Sequence, residues 1–195
     1  MQQKNDMRTY LKFVILLVLF ASCGFFQPQW VYLSNGGKQA VSSAYHLSKE
    51  NFVCSPLIDT NIVYIWESEL VTVNRYGEKI EGPSTKYQLM CFNSNGICFL
   101  TPLTKIYLTD IEVKQYIELN WGQYCYYKVD GSKIVVEVYN YHTKIFEYMY
   151  GNILENGDIH FYKTKGRPWT TYTRKENDLY KKSDRKRLAP LIFPQ

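Results

Sequence analysis

The carboxylates Glu137, Glu147, Glu155 and Asp158 lie in or beside one tyrosine-rich stretch, Tyr124 to Tyr162, and have side chains of a type that could move protons. Two carboxylates facing each other across a cleft can run glycoside hydrolysis, one as acid and the other as base or nucleophile. Glu137 and Glu147 would approach if the runs 134–140 and 145–151 pair as neighbouring strands. This supports a small hydrolase or isomerase acting at a barrel mouth through Glu137, Glu147 or Asp158. On a solvated strand face the same groups, beside Lys128, Lys133 and Lys144, would form exposed ion pairs of little energetic weight. The chain has no Gly-x-Ser-x-Gly, no phosphate-binding P-loop and no GxGxxG, so no residue is assigned a catalytic role, and the motif content leans against an enzyme.

His46, His142 and His160 have no His or Cys at ligand spacing, and neither HExxH nor CxxC occurs. No metal site and no cofactor is expected. Cys54, Cys91, Cys98 and Cys125 are even in number, which in an exported protein permits two disulfides in any of three connectivities. The competing reading keeps them as free thiols buried like small apolar groups. With Asn95-Gly96 as a two-residue turn, Asn93 faces Cys98 and Cys91 faces Leu100. Cys91 and Cys98 then share a face but sit diagonally, ~7–8 Å apart, so bridging them would need a bulge or a longer turn.

The elements that must position these groups are strands. Runs rich in Tyr, Val, Ile and Phe between 124 and 162 are divided by Asp130-Gly131, His142-Thr143-Lys144 and Asn156-Gly157. β-branched and aromatic residues suit a pleated, half-buried surface, and Gly after Asn or Asp supplies the positive φ of a tight hairpin. The pattern predicts nine short strands in all: 62–66, 70–74, 87–92, 97–100, 124–129, 134–140, 145–151, 158–163 and 169–173. The fold class is therefore all-β and mainly antiparallel, an up-and-down meander forming a small barrel or sandwich with at most one or two short helices. Val41, Ala44, Tyr45 and Ser48 have helical spacing, as do Val113, Tyr116, Ile117 and Asn120 behind Asp110 as a cap; the preceding residues 105–108 suit a strand equally well. The chain carries 18 tyrosines, which fit both strand packing and a ligand-contacting wall; Tyr126, Tyr139, Tyr148 and Tyr150 are the candidate contact aromatics.

Charge is unevenly spread. The whole chain carries +5, yet Lys163 to Arg187 holds ten Lys and Arg against Glu176, Asp178 and Asp184, a net of +7. With +2 in the leader from Lys4, Arg8 and Lys12 against Asp6, residues 23–162 are left at −4. That distribution describes no uniformly basic nucleic-acid surface. The basic segment reads either as a solvated tail or as a patch drawn to anionic surfaces, and the apolar Ala189–Pro194 can pack back on the domain.

The leader has a charged start and the nine-residue apolar run Phe13 to Ala21, far too short at ~1.5 Å per residue for a hydrocarbon core of ~30 Å. It ends Leu19-Phe20-Ala21-Ser22-Cys23-Gly24. Ala21, Ser22 and Cys23 resemble the lipobox of bacterial lipoproteins, although Phe20 stands where Leu is usual and Leu19 lies one place earlier. The resemblance implies cleavage before Cys23, an acyl chain such as palmitate on that cysteine, and anchoring by the new N-terminus. An ordinary secretory leader cut after Gly24 is the alternative. Strand number and turns also make the domain similar to small lipocalin-like barrels, which implies an internal apolar ligand cavity.

The expected organisation is a signal peptide (1–22), a lipid-anchor tether (23–37), one β-rich domain (38–174) and a basic C-terminal tail (175–195). The expected role is that of an exported lipoprotein, membrane-anchored through Cys23 on the periplasmic side or the cell surface. There it would act as a binding or structural module of the cell envelope, contacting an apolar small ligand or an envelope protein and no nucleic acid.

Overall fold

A computed structural model describes residues 29–33, 36–70, 76, 78, 84–103, 109–119, 122–167, 173–187 and 189–194. The leader, Cys23 and most of the tether lie outside the described residues, as do 71–74 and 169–172 of two expected strands.

Eight strands build the domain: β3 (Ile62–Leu70), β4 (Ser84–Phe92), β5 (Ile97–Leu103), β6 (Gln123–Asp130), β7 (Lys133–Asn140), β8 (Ile145–Ile153), β9 (Ile159–Gly166) and β10 (Thr173–Lys186). Each pairs antiparallel with the next, and β10 returns to pair with β3, so the meander closes into a barrel rather than two stacked sheets. A separate two-stranded ribbon, β1 (Trp30–Tyr32) with β2 (Lys38–Ala40), precedes it. The expected antiparallel all-β class is what the chain adopts. The Glu67-Ser68-Glu69 break does not divide two strands, because β3 runs through it to Leu70.

Side-chain alternation sends one residue set inward. Tyr64, Met90, Cys98, Tyr127, Val136, Ile153, Phe161 and Tyr180, one from each barrel strand, belong to a single apolar cluster that fills the interior. The outward set on β3 to β8 is also apolar, including Val63, Leu89, Phe99, Tyr124, Tyr139 and Phe146. It is covered by three separate pieces of chain. Helix α1 (Asp110–Glu118) lays Val113 and Ile117, four apart and so on one helical face, against it. Thr109 caps this helix, with Glu112 closing a reciprocal capping box, so the cap lies one residue before Asp110. Where the spacing predicts a short helix over 39–49, residues 41–51 instead form a strap of two 3-10 turns, Ser42–Ala44 and Leu47–Lys49. The third cover is the C-terminal piece, with Ala189, Leu191 and Phe193 buried.

Two corrections follow from register. Phe92 faces Cys98 and Cys91 faces Phe99, one residue out from the two-residue-turn expectation. The turn has three residues, with Gly96 at φ +86°, the left-handed position of a type I turn plus bulge. Shifting register by one reverses faces, so Cys91 lies on the outer wall and Cys98 inside. The second correction concerns 175–195. Residues 175–186 are most of β10, so the basic run is a barrel stave and not a tail.

Phe161 is fully buried among interior side chains and meets Tyr180 edge-on at 5.5 Å. Phe161→Ala should cost about 3–5 kcal/mol of unfolding free energy in urea titration, against less than about 0.5 kcal/mol for Ile192→Ala, whose side chain is exposed.

Candidate functional site

The strap is held to the outer faces of β6, β7 and β8 by polar groups that its burial obliges to pair. Gln39, fully buried, donates to the Tyr124 carbonyl at 3.0 Å and accepts from the Tyr124 amide at 3.2 Å, standing in for a missing strand partner. Tyr45 donates to the same carbonyl at 3.0 Å. Ser42 bonds the Tyr126 hydroxyl. At the centre is Glu137, whose side chain is 0% exposed. One carboxylate oxygen accepts from the Leu47 amide at 2.8 Å and the other from Arg167 Nη2 at 2.5 Å. Arg167 also donates to the Ala44 carbonyl at 3.0 Å and lies over the Phe146 ring at 4.3 Å. Glu137 is thereby committed to fastening the strap. Neither Gln39 nor Arg167 stands out in the sequence, since nothing in their neighbourhoods foretells a buried partner 85 or 30 residues away.

Glu147 points the other way. It lies opposite the inward Val138, is buried, and accepts from Asn140 Nδ2 at 2.6 Å and Thr143 Oγ1 at 3.3 Å. The pairing of β7 with β8 occurs as expected, yet the two glutamates end on opposite faces of the sheet and share no cleft. Asp158 braces a turn, accepting from the Lys182 amide at 2.8 Å and Asn156 Nδ2 at 2.9 Å, while Glu155 is exposed. The paired-carboxylate arrangement expected of these residues is therefore not formed. Among the described residues, no group of three or more His, Cys, Asp or Glu is placed to hold a metal. The four described cysteines are free thiols; Cys98 and Cys125 face each other inside the barrel, where burial pushes the Cys98 thiol well up.

The candidate contact tyrosines divide into two pairs. Tyr126 and Tyr139 are buried beneath the strap and terminal segments, Tyr126 stacked on Phe193 at 5.3 Å and Tyr139 edge-on to Trp30 at 5.1 Å. Burial raises both hydroxyls above the usual tyrosine range. Tyr148 and Tyr150 are half-buried at the margin of the covered region. Tyr148 bonds His46 Nδ1 at 3.0 Å, and burial, followed by the Glu137 charge, pushes its hydroxyl up. Tyr150 has Lys163 Nζ 4.4 Å above its ring. From these two residues the outward surface of β8, β9 and β10 continues through Lys163, Lys165 and Lys175 without a covering element among the described residues. Two cavities, of about 440 and 580 Å³, also open outside the barrel, one against Ile65, Leu179 and Lys181, the other between Val41, Lys49 and Phe193.

The described chain is thus a closed eight-stranded antiparallel barrel, compatible with a lipocalin-like architecture but with its interior occupied by its own side chains. No protein-family model, curated protein or solved structure matches the chain.

Removing Glu137 strands the Arg167 charge under the strap. Glu137→Ala should cost about 3–5 kcal/mol and open the 41–51 segment to limited proteolysis, with Glu137→Gln milder in both readouts. Asp178, inward-facing opposite Phe161, behaves differently. Burial first, then the Glu176 charge, lift its carboxyl above the ordinary aspartate range, against a bond from Trp66. The folded state then holds that proton more tightly than the unfolded chain, so stability falls as pH rises through the window between the two values. Asp178→Asn should raise the melting temperature at pH 7 and lose that advantage near about pH 3, below the unfolded aspartate range.

Proposed function

We propose that the protein is an exported lipoprotein held to a bacterial membrane by an acyl chain on Cys23, whose lipocalin-like barrel serves as a binding or structural module of the cell envelope. The observation that carries the module reading is the contrast between the two sides of the staves. Large side chains occupy the interior, whereas half-buried Tyr148 and Tyr150 mark the margin of the strap and the lysines beyond them have no covering element among the described residues, which favours contact through the outer wall over storage of a ligand inside. The anchor rests on the Ala21-Ser22-Cys23 sequence behind its short apolar run. Among the described residues no helix is long and apolar enough to cross a membrane. Acyl chains hold a protein through buried CH₂ groups and ask nothing of the barrel itself.

Expression in a bacterium fed labelled palmitate tests the anchor. The wild-type chain should incorporate label and sediment with membranes, and Cys23→Ser should lose both properties. Unlabelled wild-type protein released into a soluble fraction after cleavage beyond Gly24 would overturn the lipoprotein reading in favour of plain secretion.

A further inference from the structure

We infer that the outward wall of β8, β9 and β10 docks on the phosphate-bearing headgroups of an anionic lipid bilayer. This deepens the membrane reading above and supplies it with an orientation.

Cross-strand register sets the chemistry. Lys163 on β9 lies directly opposite Lys175 on β10, and on its other side opposite Tyr150 of β8. Lys165, the next outward residue of β9, lies opposite Tyr148. Like charges placed directly opposite each other destabilise a sheet, and among the described residues no carboxylate pairs with Lys163, Lys165 or Lys175. The chain does pair cations elsewhere: Lys128 with Glu50, Arg174 with Glu176, and Lys182 with Asp59. An unneutralised row of three lysines on a rigid sheet is what an external polyanion would neutralise.

Three features select a bilayer among polyanions. Around Tyr148, Tyr150, Lys163, Lys165 and Lys175 the wall is an open sheet face, not a groove that would seat a sugar or peptide chain; one cavity borders β10 further along, at Leu179 and Lys181, and the other lies beside the strap. Tyr148, Tyr150 and the exposed Tyr162 at the β9 bulge put amphipathic rings beside the lysines, and such rings settle at headgroup level. The described chain also begins next to this wall. Trp30 packs on Tyr139 and Tyr141, at the end of β7 that adjoins Tyr148 of β8, so the first described residues lie one strand away from it.

The test uses the full chain carrying Cys23→Ser, so that acylation plays no part and failure of the anchor, read by palmitate labelling, is scored separately. Partition into phosphatidylcholine vesicles is compared with partition into vesicles that also contain phosphatidylglycerol, at low and high salt. The leader contributes equally to every variant. Lys163→Glu, Lys165→Glu and Lys175→Glu combined should reduce the preference for anionic vesicles by about tenfold or more, and salt should erase that preference in the parent. Lys114→Glu, half-exposed on α1, with Lys133→Glu, exposed at the start of β7, should leave it intact. Lys175→Glu alone separates docking from folding: it places opposite charges across from each other, so the melting temperature should rise while anionic binding falls. A folded triple variant that keeps the parent's preference overturns the inference. So does a parent that ignores phosphatidylglycerol yet binds dextran sulfate through the same lysines, which would make the partner an acidic polysaccharide.

Discussion

Everything in this domain depends on β10 pairing with β3. A meander of seven strands would leave β3 and β9 with free edges, rows of unpaired amides and carbonyls open to any passing strand. β10 satisfies both rows at once, through Tyr180 opposite Trp66 on one side and Leu179 opposite His160 on the other. The segment that does this is among the least strand-like in the chain. Main-chain hydrogen bonds do not depend on side-chain polarity, and a stave needs only enough inward contact to hold register. Tyr180, fully buried, bonded to Gln88 and packed on Phe161, provides it.

Closure has a second consequence. Once the interior is full, any further apolar surface must be covered from outside. Residues 124–127 are all buried, Cys125 and Tyr127 inward, Tyr124 and Tyr126 outward under the strap and the C-terminal piece. The strap cannot join the sheet, so its backbone finds side-chain partners instead: Glu137 for the Leu47 amide, Arg167 for the Ala44 carbonyl. A buried carboxylate is tolerated because both its oxygens are occupied, one by a charge. Chemistry-bearing residue types in the meander are thereby spent on assembly.

These facts explain what was legible in the chain. Hairpins announced by Asn-Gly and Asp-Gly, and strands rich in Tyr and Val, stand where the pattern puts them, because turn conformation and β-propensity are local. Fastening is non-local. Glu137 looks like any outward strand carboxylate until the strap lies over it. The inward or outward sense of Cys91 hinges on whether a loop counts two residues or three, a difference carried by the conformation of Gly96. In β10 a sparse apolar period hides a strand behind its charge, and the same charge resembles the composition of a frayed terminus.

Recasting that segment as a stave changes what its charge can do. Lysines on a flexible tail meet an anionic surface at the cost of ordering the tail, whereas Lys175 on β10 is held opposite Lys163 of β9, with Lys165 one strand repeat further along β9. Their mutual repulsion is a cost borne by the folded state and relieved by counter-charge, so the energy that weakens the free barrel is returned on contact with a polyanion. The covered walls of β3 to β7 have no such row, since much of their outward surface is apolar and packed under α1, the strap and the C-terminal piece, and Glu137 and Lys128 on it are paired with Arg167 and Glu50. The division between a sealed side and a charged, tyrosine-bearing side is therefore a product of the chain's own packing, and it gives the barrel a face with which to meet something else.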